Sequence, residues 1–299
     1  MSVTTFLHAL VTARVDARPL GVVRMMIGLA ALLKIFDAGP VLARLGSGDV
    51  MRLPYVAWAP QPSPALHAAL LAVWAMAAVA LAIGWRTRTA GAALIAVLTT
   101  VIVLDEQTYS SHLYLLALLV ALLVIGNSGA ALSLDARGRS GGMPPLLAAW
   151  PVTLLKLQVS IVYGFAALAK LNPEYLSGVA LANFIPFNAA AELIGMRPMI
   201  MIVITASIFS IAMELALAIW LWVPSRRHVA LALGVAIHLG MIATIRGGVR
   251  LQLVVFALEM WSLYLLFFTP AELHAIGRRI TNRLPGRLRP RFADQAPAG

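Results

Sequence analysis

Eight ionisable residues stand out because of where they sit. Arg24, Lys34, His112, Lys156, Lys170, Glu214, His238 and Glu259 each lie within, or at the head of, a strongly apolar stretch. A charged side chain at the centre of a bilayer costs roughly 2.5–3.5 kcal/mol or more. Such a residue needs a partner, a watery cavity or a function. Amines and imidazoles in that setting suit proton transfer, because a lysine freed of its proton in a dry site is an effective base. Each residue also has a plainer explanation. Lys34 and Lys156, near helix ends, would extend to the headgroups. Arg24 would pair with Glu214 or Glu259 as a buried structural ion pair. A lone histidine on an apolar helix is commonly a hydrogen-bonded packing residue.

Other chemistries are excluded. The chain has no cysteine, which removes disulfides, thiolate nucleophiles and Cys-ligated metals. Phosphate-binding glycine loops, HExxH and GxSxG are absent. The six histidines are too scattered for a metal site, and no metal is expected.

The elements that hold these residues follow from composition. The 299 residues are 61% hydrophobic and 12% charged, with a mean hydropathy of +0.88. Soluble domains carry about 25% charged residues. The fold class expected is all-α, a polytopic helical membrane protein of about eight transmembrane helices. The spans run near 19–36, 66–84, 90–104, 112–126, 152–171, 199–223, 228–245 and 251–268. With the N-terminus inside, 14 arginines fall on inner segments and 5 on outer ones. The inner set is Arg14, Arg18, Arg86, Arg88, Arg137, Arg139, Arg226, Arg227 and the six from Arg278 onward; the outer set is Arg44, Arg52, Arg197, Arg246 and Arg250. This bias orients both termini to the cytoplasm of a plasma or inner membrane. It also accounts for the net charge of +11 through contact with anionic lipid, without nucleic acid.

Three regions are expected: an amphipathic inner-surface helix over 1–18, a transmembrane domain over 19–268, and a basic, partly disordered cytoplasmic tail over 269–299. Residues 37–65 and 172–198 read as long outer loops. This topology puts His112, Lys170, His238 and Arg250 at one depth near the outer face, with Glu214 below them.

A more specific signal is the segment from Leu157 to Asn172, continuing to Gly178. It resembles the signature of the horizontally transferred transmembrane (HTTM) family, related to the membrane domain of vitamin K-dependent gamma-glutamyl carboxylase. Weaker matches follow in family order at Pro19–Gly28, Ser111–Leu115, Leu132–Ala136, Met213–Leu215 and Ile237–Leu239. The resemblance implies that Lys170 is the catalytic base toward a reduced naphthoquinone, a vitamin K-like cofactor, with catalytic His112 beside it. Tyr114, Gln158, Tyr163, His238 and Arg250 are the expected substrate-binding residues, the last two stabilising a developing anion. Two departures matter. Ala169 stands where the carboxylase has a second lysine. The large extracytoplasmic domain that holds the carboxylase's protein substrate is not expected here, since a basic stretch follows the last span instead. The expected activity is therefore the quinol-oxidising or proton-abstracting half of a lyase or oxidoreductase, with a protein partner supplying substrate recognition. The alternatives are a non-catalytic membrane partner in maturation or export of a secreted peptide or lipoprotein, and an anion transporter.

Overall fold

The computed structural model describes residues 12–56, 63–137, 145–245 and 249–283, with the backbone alone given for 274 and 280–283. It is helical almost throughout. α1 spans Ala17–Ser47, α2 Pro64–Ile83, α3 Thr87–Leu104 and α4 Ser111–Ile125; α5 follows at Ala149–Ala169. Three short helices, α6 (Pro173–Leu176), α7 (Val179–Ala182) and α8 (Phe187–Ile194), lead to α9 (Met196–Trp220), α10 (Arg227–Thr244), α11 (Arg250–Tyr264) and α12 (Pro270–Arg283).

Seven of these helices are long and apolar enough to cross a membrane: α1, α2, α3, α5, α9, α10 and α11 with the 3-10 turn that extends it to Phe267. The eighth expected span is α4, apolar but only 15 residues long. At 1.5 Å per residue it measures about 22 Å, short of a hydrocarbon core of about 30 Å.

Local chemistry sets the boundaries. Ser63 and Ser110 cap α2 and α4 by accepting from the amides of Leu66 and Leu113. Pro64 occupies the first turn of α2, where a missing N–H costs nothing. Gly84 ends α2 in the left-handed region at φ +73°. No other residue fits there, because a Cβ would lie 2.3 Å from Ser133 Cβ and 2.6 Å from Arg24 Nη1. Small residues also let the helices approach closely, as packing in lipid requires. A Cβ on Gly28 of α1 would come within 2.8 Å of the Ala82 backbone in α2.

Three expectations change here. α1 does not end near residue 36 but continues through Pro40 to Ser47, capped by Gly48 in the left-handed region. Asp37, Gly39 and Pro40 lower hydropathy without breaking the helix. Within the expected surface helix at 1–18, residues 1–11 lie outside the described residues, and Arg14–Asp16 form strand β1 instead. β1 pairs antiparallel with β2, Leu146–Ala148, in the register Arg14↔Ala148, Val15↔Leu147, Asp16↔Leu146. Backbone bonds from Ala17 to Pro145 and from Ala149 to Ala13 extend this strap. It fixes the N-terminal ends of α1 and α5 side by side. In the tail, α12 is described as far as Arg283, and 284–299 lie outside the described residues.

The third change concerns Arg24, which does not pair with Glu214 or Glu259. It is fully buried and binds backbone carbonyls. Nη1 donates to Ser128 (3.1 Å) and Ala131 (3.5 Å), and Nη2 to Leu132 (2.5 Å) and Ala82 (3.5 Å). The rigid, many-donor guanidinium suits a cluster of carbonyl acceptors, which it satisfies at several points at once. Leu132 supplies the nearest carbonyl from φ +50°, a strained conformation for leucine. The same turn carries Asp135, whose carboxylate accepts from the Arg86 amide and from the amide and hydroxyl of Thr87, each at 2.7 Å. Asp135 therefore caps α3 from 48 residues away. Burial pushes its carboxyl pKa up, but the Thr87 and Arg86 hydrogen bonds and the Arg24 charge outweigh this and hold it below the usual carboxylate value.

Candidate functional site

Lys170 is the C-terminal cap of α5. Its ammonium forms an ion pair with Glu214 Oε1 on α9 and lies over the Tyr175 ring of α6, 5.5 Å from the centroid. The Tyr175 hydroxyl is 2.9 Å from Ser210 Oγ on α9, which donates to the Ser207 carbonyl at 2.8 Å. Asn172 holds this turn: it accepts from the Tyr175 amide and donates to the Ala169 carbonyl, both at 2.9 Å. The lysine side chain is 25% exposed and Glu214 11%. The second carboxylate oxygen, Glu214 Oε2, is buried without a partner among the described residues.

Lys170 does not lie level with the end of the bundle. α5 and α9 run antiparallel in a register set by Ser160 Oγ donating to the Ala218 carbonyl (2.8 Å), by Lys170–Glu214 and by Tyr175–Ser210. α5 therefore ends opposite the middle of α9. The first half of α9 continues beyond it, so Lys170 is deeper than its position at a helix end suggests.

Two turns before Lys170 on α5, a second polar group fills the interior. The Tyr163 hydroxyl meets His238 Nε2 of α10 at 3.0 Å and hydrogen-bonds the Tyr264 hydroxyl of α11. Tyr163, His238 and Tyr264 are all buried. Gly234, one turn from His238, makes room: a Cβ there would lie 2.1 Å from the Tyr264 hydroxyl. His238 Nδ1 has no partner among the described residues, and the ring packs against Phe256 and Trp261.

His112 belongs to a third group. Its ring lies 4.8 Å from Phe256, whose other neighbour is His238 at 5.1 Å. Lys34 and Asp37 of α1 are within electrostatic range of it. Lys34 does not reach a headgroup. It is 1% exposed, since α1 continues past it, and it pairs with Asp37 at 2.5 Å. Asp37 also accepts from Gln252 Nε2 of α11 at 2.9 Å. Glu259, further along α11, is fully buried, and neither carboxylate oxygen has a partner among the described residues. Lys156, half-buried, covers the Phe267 ring at 5.3 Å.

The structure thus joins Tyr163 to His238 and Lys170 to Glu214. Among the described residues, no hydrogen bond, ion pair or ring contact joins Lys170 to His112. Tyr114 is 53% exposed on α4, Gln158 is half-buried on α5, and Arg250 is exposed at the start of α11. Tyr175, Ser210, Tyr264, Asp37 and Phe256 were not expected among the site residues from the sequence. Tyr175 alone carried a usable signal, since it lies in the segment around Lys170 that resembles the family signature.

The HTTM domain family model matches residues 13–271. The chain belongs to the HTTM family. It is a multi-pass membrane protein related to the membrane domain of the vitamin K-dependent carboxylase. The HTTM match takes in every helix from α1 to α11, and with them all three polar groups. No curated protein and no solved structure matches the chain.

Proposed function

We propose that this HTTM protein is a membrane enzyme of the plasma or inner membrane that deprotonates a lipid-soluble hydroquinone, with Lys170 as the base. The observation that carries this reading is the Lys170–Glu214 pair, partly accessible and walled by Tyr175. In this reading the proton of this hydrogen bond passes between the two partners. When it rests on Glu214, the Lys170 lone pair is free to take a proton from a phenolic O–H. When it rests on Lys170, the carboxylate balances the ammonium.

The residues suit a phenolic guest. Lys170 offers a nitrogen base, Glu214 Oε2 is a buried acceptor without a partner, and the Tyr175 ring can stack on an aromatic ring. A reduced naphthoquinone, when bound, supplies an acidic hydroxyl whose loss leaves an electron-rich oxyanion. Lys170 Nζ takes that proton and the new ammonium stays beside the anion, which it stabilises in a site of low dielectric. Tyr163, buried on the α5 face that leads to Lys170, and His238 of α10 form a second hydrogen-bonded group, with Tyr163 within electrostatic range of Glu214.

A second reading is favoured by the same ion pair. If the pair only ties α5 to α9, the protein serves as a non-catalytic partner for a secreted peptide or lipoprotein.

Two substitutions separate these. Lys170→Ala removes base and pair together. Lys170→Arg keeps a cation for Glu214 but cannot act as base, since guanidinium stays protonated. Turnover of a reduced naphthoquinone by purified protein in nanodiscs is expected to fall by on the order of 100-fold or more in both variants. Wild-type turnover in Lys170→Arg overturns the base assignment and leaves the structural reading.

A further inference from the structure

Residues 171–195 read in the sequence as part of an outer loop, yet they pack along α9, with exposed polar residues (Glu174, Ser177, Asn183, Asn188, Glu192) interspersed among exposed apolar ones. From Lys170 the chain follows α9 closely. Tyr175 bonds Ser210. At Gly178 (φ +80°) the backbones nearly touch: a Cβ would lie 2.8 Å from Val203 Cγ2 and 2.9 Å from the Ile204 amide. Ala191 is buried with Met199 and Val203. These contacts climb α9 from Ser210 to Met199, about 16 Å of helix. α9 is apolar over its 25 residues and long enough to cross the bilayer. The hairpin therefore lies alongside the first half of a membrane span.

Its outward surface matches that position. Leu176, Val179, Phe184 and Leu193 are exposed, Leu193 at 87%. Phe165, Leu168 and Leu171 at the end of α5 and Met201 on α9, the elements that flank the segment in the chain, are exposed and apolar as well. α8 has three faces. Phe187, Ala190 and Ala191 pack on α9, Asn188 and Glu192 form a polar stripe, and Leu193 points elsewhere. A helix of eight residues cannot span, but three faces suit one lying where protein, water and hydrocarbon meet. Much of the backbone of the α6 turn is satisfied internally, as hydrocarbon demands. Asn172 caps α6, the Ser177 amide donates to the Pro173 carbonyl, and the Gly178 amide to the Tyr175 carbonyl.

We infer that residues 171–195 form a re-entrant hairpin seated in the bilayer, and that lipid acyl chains are the partner of its outward face. Continuity with two spanning helices selects lipid over a soluble protein. Because α6 carries Tyr175 over the Lys170 ammonium, the hairpin is the wall between the Lys170–Glu214 pair and the lipid. This placement stands whether or not Lys170 is a base.

The cysteine-free chain allows single nitroxide labels without background. Leu176→Cys, Phe184→Cys and Leu193→Cys are labelled in nanodiscs of phosphatidylcholine and phosphatidylglycerol. Met201→Cys on α9 serves as the lipid reference and Ser225→Cys, in the α9–α10 connection, as the aqueous one. The expected result is relaxation by oxygen exceeding relaxation by a water-soluble nickel chelate at all three sites, as at Met201, with Glu192→Cys shifted toward water. A chelate-dominated response like that of Ser225 overturns the inference and makes the segment an aqueous loop. Protection from both reagents also overturns it and assigns the face to a second protein chain. Three separate sites keep the test decisive where one variant fails to fold.

Discussion

Arg24 and Lys170 meet the cost of a buried cation in different ways. Arg24 is fully enclosed and spreads its donors over four backbone carbonyls. Lys170 keeps part of its surface open and relies on one carboxylate. The first arrangement has no group to exchange a proton with; the second has one, which is why Lys170 is the candidate base. The Tyr163–His238–Tyr264 group shows a further economy. It exists because Gly234 leaves space for the Tyr264 hydroxyl. Gly234→Ala is expected to destabilise the fold by about 1–3 kcal/mol through overpacking. Tyr264→Phe removes a hydrogen bond worth about 1 kcal/mol. The double variant is expected to melt above Gly234→Ala alone, because the atom nearest the new methyl is gone. Thermal unfolding in detergent measures all three, and strict additivity would refute the proposed contact. Tyr163 and His238 were expected at the site, but the space for Tyr264 was not legible in the sequence, where Gly234 is one glycine among 22.

At the scale of elements, one acidic residue, Glu272, links α12 to α10. Thr269 and Glu272 form a capping box: the Thr269 amide donates to Glu272 Oε2 at 2.6 Å, and the Glu272 amide to Thr269 Oγ1 at 3.3 Å. The same carboxylate accepts from Arg227 and meets His228 Nε2 at the start of α10, both at 2.8 Å. The Thr269 amide and hydroxyl, with Arg227 and His228 adding, hold the Glu272 carboxyl at about 2, against a cost of desolvation. A depressed carboxyl stabilises the folded form above its unfolded value and loses that contribution as pH falls toward the folded one. The attachment of α12 is thus expected to be intact at neutral pH and to weaken between about 4.5 and about 2. A nitroxide on Arg279→Cys should become mobile over that window. With Glu272→Gln added it should be mobile already at pH 7; a label of unchanged mobility in that variant would refute the attachment. The box itself was written in the order Thr-Pro-Ala-Glu, but its link to α10 depends on two helices meeting, which hydropathy cannot show.

For the whole molecule, hydropathy located every long helix because lipid selects for apolar runs wherever they occur. It missed what happens across the chain. α1 continues past Asp37 because a buried lysine and Gln252 satisfy that carboxylate. Glu214 went to Lys170 rather than Arg24 because α5 stops halfway along α9, a register that no single segment encodes. Arg24 found carbonyls, which every residue possesses and no composition reveals. The arginine asymmetry and the β1–β2 strap agree on one point: the beginnings of α1 and α5 share a side of the membrane. Reporter fusions ending at residues 137 and 283 are expected to report the cytoplasm for both, and opposite readings would refute the expected topology of eight crossings. The strap and the arginine clamp also bear on biogenesis. β1 and Arg24 are made early, whereas β2 and the carbonyls of Ser128 to Leu132 come more than 100 residues later. At about 5–20 residues per second, that delay is roughly 5–25 s. During it the newborn α1 must wait in the translocation machinery or at its lipid boundary with an unpaired strand and an uncompensated guanidinium. α1 is therefore a helix whose insertion is completed only retroactively, by sequence synthesised after it.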